Sequence, residues 1–471
     1  MTATAQTDVK LQDLLKAGNR AYLIGIGGVG MSGLAKVLKS RGLHVAGSDQ
    51  QESETTRDLI QSGIPVYIGH DLNHVHHHDF AIYSSAITIS NQERRETILR
   101  GIPSFHRADV LSALMNQSIS IAVTGTHGKT TTSAMLSTTL TLAGLKPTCL
   151  IGGKVKNFGT NIKLGDPHFM VAEVDESDKS HLLYRPDYLV LTNLEEDHLD
   201  IYENFDNLKQ SFVELLKKVG NSSHIIYSGH DVCLKELVQV VSKKTSFGLS
   251  KQFDYGAENI TIQNLRTQFD LFELGQRFTR VTLQVAGKHN VMNALATVAT
   301  LRVFGLSMAK ITQYLSEFVG VKRRLDVILS LPQITVIDDY AHHPTEIAAS
   351  LQAIKTLQQK PLVAVFQPHR YSRMQHIGHQ FPKVLALADR VIITDIYAAG
   401  ETNTYETHAQ DLEQMMKSAD YPNAVYVPKN ELIDYLVKNT GLEGVMAFIG
   451  AGDITEVAHE FADRITNPDP V

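Results

Sequence analysis

The sequence predicts an α/β protein with three doubly wound domains, and three observations carry this prediction. Short β-branched apolar runs alternate with helical patterns along the chain, which is typical of parallel sheets. Glycine and polar clusters follow the predicted strands, at the sheet edge where such folds bind ligands. The 471 residues suffice for about three domains. We predict boundaries that give domains of residues 1–116, 117–321 and 322–471.

Composition and charge exclude several classes of protein. With 43% hydrophobic and 20% charged residues, the chain is globular rather than disordered. The net charge of -6 argues against a general nucleic-acid binder. Cys149 and Cys233 are too few for a disulfide framework and have no metal-type spacing. The first residues contain no apolar signal core, and no apolar run is long enough to span a membrane, so we expect a cytoplasmic protein without membrane contact.

The stretch Ile119 to Ala143 predicts a phosphate-binding loop. A β-branched apolar run leads into Thr124 to Thr131, TGTHGKTT, and a helical pattern follows. The glycines let backbone N–H groups converge on an anion, and the helix N-terminus adds positive potential. Lys129 is suited to β- and γ-phosphate oxygens and Thr130 to Mg²⁺. The match to G-x-x-x-x-G-K-[ST] is incomplete because Val123 replaces the first glycine, and an ordinary strand–helix turn is the alternative.

Acidic residues follow the next predicted strands of the central segment. The run His168 to Ala172 leads into Glu173, and the run Tyr188 to Thr192 leads towards His198. We expect Glu173 to bind Mg²⁺ because hard cations prefer oxygen ligands, and a solvated acidic turn is the alternative. His198 is a candidate metal ligand or phosphate contact, although a lone histidine is more often structural. If both strands belong to one parallel sheet, the two side chains open on the same cleft.

The first segment carries a glycine pattern of the dinucleotide-binding type. Gly25 to Gly30 reads G-x-G-x-x-G between an apolar strand and a helical pattern, and Asp49 follows about 20 residues on. Alone, this pattern indicates a nicotinamide or flavin dinucleotide, but the glycines establish only a pyrophosphate-like group or a close backbone contact. Asp49 is suited either to a ribose hydroxyl or to capping the next element. The later predicted strand Phe80 to Ser85 ends in Ser84-Ser85-Ala86.

Polar residues also follow the predicted strands of the last segment. Ile334 to Ile337 leads to an Asp-Asp-Tyr-Ala-His-His run, and Pro361 to Phe366 leads to Arg370 and Arg373. If the turn after Phe366 is helical, the two arginines share a face and could clamp a carboxylate or a transferring phosphoryl group, and surface arginines are the alternative. Upstream, Asn290 at the start of a helical pattern either caps the helix or binds a base or ribose.

Five motifs, in order along the whole chain, resemble those of the Mur ligases. They are Thr124 to Thr131 (TGTHGKTT), Glu173 to Asp178 (EVDESD), Thr192 to Asp200 (TNLEEDHLD), Gly287 to Asn293 (GKHNVMN) and Asp338 to Glu346 (DDYAHHPTE). The resemblance implies ATP-dependent amide formation in peptidoglycan precursor synthesis. It also implies a Rossmann-like N-terminal domain for a UDP-sugar, a central phosphate-loop ATPase-like domain and a Rossmann-like C-terminal domain.

Within the family, three stretches are similar to the member that joins L-alanine to UDP-N-acetylmuramate. They are GIGGVGMSG from Gly25 to Gly33, DDYAHHPTE, and FQPHRYSR ending at Arg373. The implied reaction phosphorylates the lactyl carboxylate with ATP, and the amine of L-alanine then displaces phosphate from the acyl phosphate. The runner-up is the recycling ligase that joins a murein tripeptide to the same sugar nucleotide. The implied cofactors are ATP and two Mg²⁺ ions, and we expect a monomer or homodimer.

The resemblance assigns roles by motif position. The residues implied in catalysis are Lys129, Glu173, His198, His342, Arg370 and Arg373, and those implied in metal binding are Thr130, Glu173 and His198. The residues implied in ATP binding are Gly125, Thr126, His127, Gly128, Lys129, Thr130, Thr131, His289, Asn290, Arg324 and Asp339. The residues implied in binding the sugar nucleotide and alanine are Gly27, Gly28, Val29, Gly30, Asp49, His70, Ser84, Ser85, Ala86, Asn193, Tyr340, His342 and His369. Because these groups belong to separate segments that share one ATP, we expect closure to assemble the site.

Two other classes of function remain as hypotheses. The glycine pattern at Gly25 to Gly30 suggests an NAD-dependent oxidoreductase, which would explain nothing after Gln117. A non-catalytic nucleotide-gated sensor could use the same domains.

Overall fold

The computed structural model describes residues 10–358, 361–439 and 441–467. The sequence predicted that the first residues contain no apolar signal core. Residues 1–9, to which part of this prediction applies, lie outside the described residues. Within the described residues, no helix is both long and apolar enough to cross a membrane. The chain divides into two compact units: one comprises Met1–Gly248, Phe253–Tyr255 and Asn293–Tyr314, and the other comprises Leu249–Gln252, Gly256–Met292 and Leu315–Val471. The boundaries of the three predicted domains stay a prediction.

The N-terminal segment forms a five-stranded parallel sheet. Its strands are β1 (Arg20–Ile24), β2 (His44–Asp49), β3 (Val66–Ile68), β4 (Phe80–Tyr83) and β5 (Ser104–His106). Its helices are α1 (Leu11–Leu14), α2 (Val29–Ser40), α3 (Glu54–Gln61), α4 (Gln92–Arg100) and α5 (Arg107–Met115). The strand order β3-β2-β1-β4-β5 reverses between β1 and β4, and ligands bind beside such a reversal, beyond the carboxyl ends of the strands.

The central segment adds a second sheet to the first unit. Its strands are β6 (Ile119–Thr124), β7 (Pro147–Val155), β8 (Thr160–Lys163), β9 (Asp166–Glu173), β10 (Tyr188–Leu191), β11 (His224–Ser228) and β12 (Lys244–Gly248). Its helices are α6 (Lys129–Leu142), α7 (Leu199–Tyr202), α8 (Phe205–Val219) and α9 (Val232–Leu237). Strand β6 lies between β9 and β10, in parallel with both. The acidic motifs after β9 and β10 therefore flank the phosphate loop, as predicted.

Strand β7 and the antiparallel edge strand β8 were not predicted from the sequence. Strand β7 begins with the pattern PTCLI, whose residues are all buried, as in a strand covered on both faces. Residues of the N-terminal and central segments, from Leu15 to Val241, share one apolar core. Residues of both segments are therefore held in one compact unit.

The second unit contains a run of three neighbouring strands and a six-stranded sheet. The run has the order β15-β14-β13, with β13 (Tyr255–Gln263), β14 (Arg266–Glu273) and β15 (Gln276–Leu283). Helix α10 (Lys288–Phe304) follows it and continues into the first unit, where α11 (Met308–Leu315) comes next. The strands of the larger sheet are β16 (Asp326–Ser330), β17 (Ile334–Asp339), β18 (Leu362–Phe366), β19 (Arg390–Ile393), β20 (Ala424–Tyr426) and β21 (Gly444–Ile449). The helices around it are α12 (Pro344–Ile354), α13 (Tyr371–Ile377), α14 (Phe381–Leu385), α15 (Ala409–Ser418), α16 (Lys429–Asn439) and α17 (Ile454–Thr466).

The larger sheet has the order β16-β17-β21-β18-β19-β20, and all its pairs are parallel except β16 with β17. Alternate residues of β18 pack into two different apolar cores, with Ala364 and Phe366 in one and Val363 and Val365 in the other. Helices therefore cover both faces, and the polar residues after β17, β21 and β18 meet at one edge. The predicted α/β fold class with parallel sheets is confirmed.

Candidate active site

The phosphate loop joins β6 to α6 and requires glycine at two positions. Gly125 has a φ of +120°, and a Cβ there would lie 2.4 Å from Thr192 Oγ1. Gly128 has a φ of +82°, and a Cβ there would lie 2.5 Å from Asn293 Oδ1. A residue with a side chain would meet strain and collision at both positions. Val123 lies inside β6 and is fully buried, so the missing first glycine of the motif alters the strand and not the turn.

The ammonium group of Lys129 is enclosed by the loop and paired with Glu176. Lys129 Nζ lies 2.9 and 3.0 Å from the two carboxylate oxygens of Glu176 and donates to the carbonyl of Gly125 at 2.7 Å. The Lys129 side chain is 12% exposed and that of Glu176 is 1% exposed. Burial lowers the pKa of Lys129, but the carboxylates of Glu176, Asp175 and Glu173 raise it, and the net shift is upward. The lysine therefore remains charged, as a phosphate-binding group must.

Thr130 and Glu173, both predicted metal ligands, are hydrogen-bonded to each other. Thr130 Oγ1 donates to Glu173 Oε1 at 3.0 Å, and Glu173 Oε2 accepts from the N–H of Gly152 in β7 at 2.7 Å. A Cβ on Gly152 would lie 2.5 Å from Oε2, so this contact requires glycine. Burial raises the pKa of Glu173 more than Lys129 and the two hydrogen bonds lower it. A hydroxyl beside a carboxylate supplies the oxygen ligands that Mg²⁺ prefers.

His198 lies in a neighbouring group with Asp175 and Glu176. One potential ligand atom from each of these three residues lies within 4.8 Å of the other two. His198 Nε2 is 3.6 Å from Glu176 Oε1 and 3.7 Å from Asp197 Oδ2. Burial lowers the pKa of His198, but Glu176 and Asp197 raise it, and the net shift is upward. His198 was predicted to bind metal together with Glu173, whereas its closest described carboxylates belong to Glu176 and Asp197.

Asn193 braces the phosphate loop from the end of β10. Its Oδ1 accepts from the N–H of His127 at 2.8 Å, and its Nδ2 donates to the carbonyl of His127 at 2.9 Å. Thr126 N–H donates to the carbonyl of Asn193 at 3.0 Å. His127 Nε2 also lies 3.6 Å from Glu195 Oε2, and Thr131 follows half-buried in the first turn of α6. The amide of Asn193, predicted to bind substrate, thus holds the backbone of the loop.

The glycine turn at Gly25 to Gly30 lies where the first sheet reverses its strand order. Asp49 Oδ2 accepts from the N–H of Gly27 at 2.8 Å, so Asp49 braces the turn, a role that differs from the two considered from sequence. Helix α2 begins at Val29, immediately after Gly28. The first N–H groups of a helix have no partner within it, so this turn suits a diphosphate.

Ser85 connects the loop after β4 to the acidic loop of the central segment. Ser85 Oγ lies 3.0 Å from His106 Nε2 and 2.8 Å from Asp178 Oδ2. Burial lowers the pKa of His106, which favours the neutral ring. His106 Nδ1 accepts from the N–H of Ala108 at 3.3 Å, so the ring hydrogen is on Nε2. His106 therefore donates to Ser85, and Ser85 donates to Asp178, which links the predicted substrate loop Ser84 to Ala86 with the EVDESD motif.

In the second unit, Asp339 ends β17 and is 2% exposed. Burial raises the pKa of its carboxyl group to about 6. Asp339 Oδ1 accepts from the N–H of Ala341 at 3.0 Å. Burial lowers the pKa of His289 to about 4, with Glu346 raising it and Arg324 lowering it. Arg324 Nη1 lies 3.6 Å from Glu346 Oε1. His289, Arg324 and Asp339, all predicted to bind ATP, therefore interact electrostatically in this part of the unit.

Asn290 does not cap α10. The helix begins at Lys288, and Asn290 is its third residue, with Nδ2 donating to the carbonyl of Ala286 at 2.7 Å. The capping interpretation of Asn290 was therefore wrong. Asn290 is 7% exposed and holds the turn before its own helix.

Tyr340, His342 and His369 form a row of rings at the edge where β17 and β18 end. The Tyr340 and His342 ring centroids are 5.5 Å apart, and those of His342 and His369 are 5.7 Å apart. His369 stacks on Tyr397 at 5.6 Å. His342 Nδ1 lies 3.0 Å from the carbonyl of Tyr340, which fixes the orientation of its ring. The three residues predicted to bind substrate from this unit thus lie together.

Arg370 and Arg373 do not share a helical face. Arg370 has a φ of +69° and directly precedes α13, so it lies outside the helix, and the residue before it, His369, forms a parallel bridge with Tyr397. The condition of the prediction, a helical turn that includes Arg370, is therefore not met. Arg370 Nη1 lies 3.7 Å from Glu401 Oε1, whereas Arg373 is 8% exposed and its Nη1 lies 3.1 Å from His369 Nδ1.

Two charged residues near the glycine turns escaped the sequence analysis. Glu176, the partner of Lys129, is the third acid in EVDESD, and no period marks it out from its neighbours. Arg107 is the first residue of α5, and a Cβ on Gly30 would lie 2.5 Å from Arg107 Nη1. The sequence does offer one indication that Arg107 belongs to the site: it is a basic residue directly after a strand in a segment predicted to bind phosphate.

These features define an enzyme class: an α/β protein with a phosphate loop, a buried lysine and a cluster of carboxylates is built to handle a nucleoside triphosphate. Three family models match the chain. Residues 20–119 match the Mur ligase family, catalytic domain; residues 123–301 match the Mur ligase middle domain; residues 323–452 match the Mur ligase, glutamate ligase domain. The chain belongs to the Mur ligase family, as its motifs predicted. The members of this family are ATP-dependent ligases.

Relatives and solved structures agree with this assignment. The UDP-N-acetylmuramate–L-alanine ligase of Geotalea daltonii is 37% identical over 95% of this chain and 98% of that protein. The crystal structure of UDP-N-acetylmuramate–alanine ligase MurC from Thermotoga maritima is 30% identical, with a TM-score of 0.80 over 95% of this chain and 99% of that chain. A murein peptide ligase from Psychrobacter arcticus, at 23% identity, a TM-score of 0.72 and coverage of 96% and 100%, shows the shared fold.

Proposed function

We propose that the protein joins L-alanine to the lactyl carboxylate of UDP-N-acetylmuramate with ATP, the activity predicted from its sequence. The observation that carries the proposal is the phosphate loop, where buried Lys129 pairs with Glu176 and Thr130 pairs with Glu173. The names of relatives similar to it along nearly their whole length support the same activity.

The reaction transfers the γ-phosphoryl group of ATP to the carboxylate, giving ADP and an acyl phosphate. The amine of L-alanine then attacks the acyl carbon, phosphate leaves, and the nitrogen loses a proton as the amide forms. Two anions must meet in the first step, so positive charge around the γ-phosphate is the main requirement. Lys129 supplies a fixed positive charge inside the loop, and the backbone N–H groups of the loop orient the phosphates.

Magnesium suits the donor set beside the loop. Thr130 and Glu173 would hold one ion, and His198 with Glu176 and Asp175 would contribute to a second, in place of the predicted pairing of His198 with Glu173. Bound Mg²⁺ neutralises charge on the phosphates and on the developing transition state. The carboxylates are held in place by Gly152 and Lys129, so they are arranged before the ions bind.

The other substrates are assigned to the remaining clusters. The turn at Gly27 to Gly30, with His70 and the loop Ser84 to Ala86, would bind the UDP-sugar. In the second unit, His289, Asn290, Arg324 and Asp339 would bind adenosine or its phosphates. The residues proposed to orient the carboxylate and L-alanine are Tyr340, His342, His369, Arg370 and Arg373.

The test is phosphate release measured with purified protein. We expect release only when UDP-N-acetylmuramate, L-alanine, ATP and Mg²⁺ are all present, and equal release without the sugar nucleotide would refute the proposal. Lys129→Ala should lose turnover by about 10³-fold, a scale typical of groups that stabilise transition-state charge. The exposed Lys235 provides a matched control, since Lys235→Ala removes a lysine in the same unit without touching the loop.

The same preparation separates the alternatives. A recycling ligase would turn over the murein tripeptide faster than L-alanine in side-by-side assays. An NAD-dependent oxidoreductase would change the fluorescence of NADH on binding, and a nucleotide-gated sensor would show no turnover for Lys129→Ala to abolish. Sedimentation velocity would distinguish a monomer from a homodimer.

A further inference from the structure

One buried carboxylate in the N-terminal segment, that of Glu93, gathers donors from five residues. Glu93 is the second residue of α4 and is 0% exposed. Its donors are Tyr22 Oη at 2.8 Å, His70 Nδ1 at 2.7 Å, His74 Nδ1 at 2.9 Å, Asp71 N at 3.3 Å and Ser48 Oγ. The start of a helix favours a negative charge, and charge-assisted hydrogen bonds offset the cost of burying it. The activity proposed above assigns Glu93 no role.

These contacts fix the tautomer of His70. An ionised carboxylate can only accept hydrogen bonds, so His70 Nδ1 must carry a hydrogen to bond with Glu93. In the neutral ring the other nitrogen, Nε2, is then an acceptor. The carbonyl of His70 accepts from Gln92 Nε2, so the backbone is held as well as the ring. These contacts therefore fix the orientation of the His70 ring and the hydrogen on Nδ1.

The position of His70 places this ring beside the glycine turn. His70 follows β3, which pairs in parallel with β2, and β2 ends at Asp49, the residue that braces Gly27. The His70 side chain is 18% exposed, and because Nδ1 is bound to Glu93, Nε2 is the nitrogen left for a ligand. Phosphate oxygens are acceptors, so a neutral His70 matches an N–H or O–H donor better than a diphosphate.

We infer that Glu93 is a positioning residue for the sugar nucleotide: it sets His70 so that Nε2 accepts a hydrogen bond from an N–H or O–H group of the nucleoside or sugar. This inference rests on the proposed function, in which His70 binds UDP-N-acetylmuramate. It predicts that His70 accepts a hydrogen bond from an N–H or O–H group of that substrate and does not contact its phosphates.

The variant Glu93→Gln tests the inference. Three donors, Tyr22, His74 and the N–H of Asp71, contact Oε1 of Glu93, whereas His70 contacts Oε2. A glutamine whose oxygen faces the three donors turns its NH₂ group towards His70 Nδ1, and this group cannot accept a hydrogen bond, so His70 loses its anchor. We expect the KM for UDP-N-acetylmuramate to rise about tenfold, in line with the loss of a charge-assisted hydrogen bond and its orienting effect. The value of kcat and the KM values for ATP and L-alanine should stay within about twofold of wild type, because the phosphate loop is not altered.

Glu96→Gln is the matched control. Glu96 lies on the same helix, and its Oε1 is 3.2 Å from His76 Nε2, so the variant disrupts a second glutamate–histidine pair that does not involve His70. We expect the KM for UDP-N-acetylmuramate to be unchanged in Glu96→Gln. Equal KM increases in both variants, or an unchanged KM in a folded Glu93→Gln, would overturn the inference.

A second measurement covers the case in which Glu93→Gln does not fold. In wild-type protein labelled with ¹⁵N-histidine, the His70 signal, assigned by its loss in a His70 variant, should show hydrogen on Nδ1 and none on Nε2. A hydrogen on Nε2, in either a neutral or a charged His70 ring, would refute the inference. His70→Gln can place an acceptor oxygen near the former Nε2 and should bind the substrate more tightly than His70→Asn, which cannot reach that position, and the reverse order would also refute it.

These readouts separate the inference from the proposed function. If wild-type protein shows no dependence on UDP-N-acetylmuramate, the proposed function fails, whatever the tautomer of His70. If the ligase is active but Glu93→Gln keeps its KM and the ring has the other tautomer, the inference fails alone.

Discussion

Asp339→Asn should stabilise the second unit of this protein at neutral pH. Burial raises the pKa of Asp339 from its ordinary value of 3.8 to about 6. A carboxyl group that ionises reluctantly in the folded state makes folding less favourable wherever the unfolded chain is ionised. With Asp339 only 2% exposed, solvent screening does not reduce the effect. Asparagine keeps a side-chain oxygen for the N–H of Ala341 and has no charge to bury.

The magnitude and sign follow from the pKa shift. A rise of about two units corresponds to about 3 kcal/mol at about 1.4 kcal/mol per unit. Because the folded pKa lies above the unfolded one, this contribution to stability is fully present below pH 3.8 and is lost as the pH rises through about 6. Wild type and Asp339→Asn should therefore have similar unfolding free energies near pH 4, and the variant should be more stable by about 3 kcal/mol at pH 7.

The assay is urea unfolding of the full-length protein at several pH values, followed by far-UV circular dichroism, with the transition of the second unit identified by hydrogen exchange. Asp453→Asn is a control of opposite sign. Burial raises the pKa of Asp453, but Lys429 and Gln367 lower it, and the net shift is downward. Its contribution is present at neutral pH and lost in acid, so Asp453→Asn should be less stable than wild type at pH 7. Identical pH profiles for wild type and Asp339→Asn would refute the reasoning.

Three further variants test other parts of the site. Glu176→Gln leaves the ammonium of Lys129 buried beside a neutral group and should lower the unfolding free energy by about 3 kcal/mol, less so with MgATP, as urea titrations would show. Gly28→Ala adds a Cβ that lies 3.6 Å from its nearest neighbour, so the melting temperature should stay unchanged. The KM of this variant for UDP-N-acetylmuramate should rise about tenfold. Gly47→Ala places a Cβ 2.3 Å from a carbonyl oxygen and should instead lower the melting temperature. Ser85→Ala removes one hydrogen bond from each of two neighbours and should raise the same KM about fivefold in steady-state assays.

Local patterns were enough to predict both glycine turns and the strands that lead into them. The phosphate loop depends on residues adjacent in sequence, and the strand before it is marked by Ile119, Ile121 and Val123. The placement of the acidic motifs beside the loop could also be predicted, because the carboxyl ends of parallel strands lie at one edge of a sheet. Strand β7 was missed although its N–H at Gly152 holds Glu173. Its signal is weak because a strand buried on both faces lacks alternation.

Contacts between distant residues could not be predicted in this way. Tyr22 and Glu93 are 71 positions apart, and only the folded sheet brings the phenol to the carboxylate. Which acid of EVDESD turns inward depends on the irregular loop after β9, so Glu176 could not be separated from Asp175. Whether the turn at Arg370 is helical could not be decided from the sequence, because the bridge between the distant residues His369 and Tyr397 lies directly before it. These cases share one cause: tertiary contacts decided the local conformation.

The two glycine turns of the first unit differ in charge, and that difference supports the proposed division of their tasks. At the first turn, Arg107 approaches Gly30 and Asp49 is occupied with the N–H of Gly27, so an anion meets backbone N–H groups and one guanidinium. At the second, the carboxylates of Glu173, Asp175 and Glu176 outnumber the single ammonium of Lys129. A triphosphate would be repelled there unless divalent cations came with it, whereas a diphosphate at the first turn needs none. A dependence of ATP affinity on Mg²⁺, together with Mg²⁺-independent binding of UDP-N-acetylmuramate in calorimetry, is therefore the expected pattern. Tight binding of metal-free ATP would contradict this division.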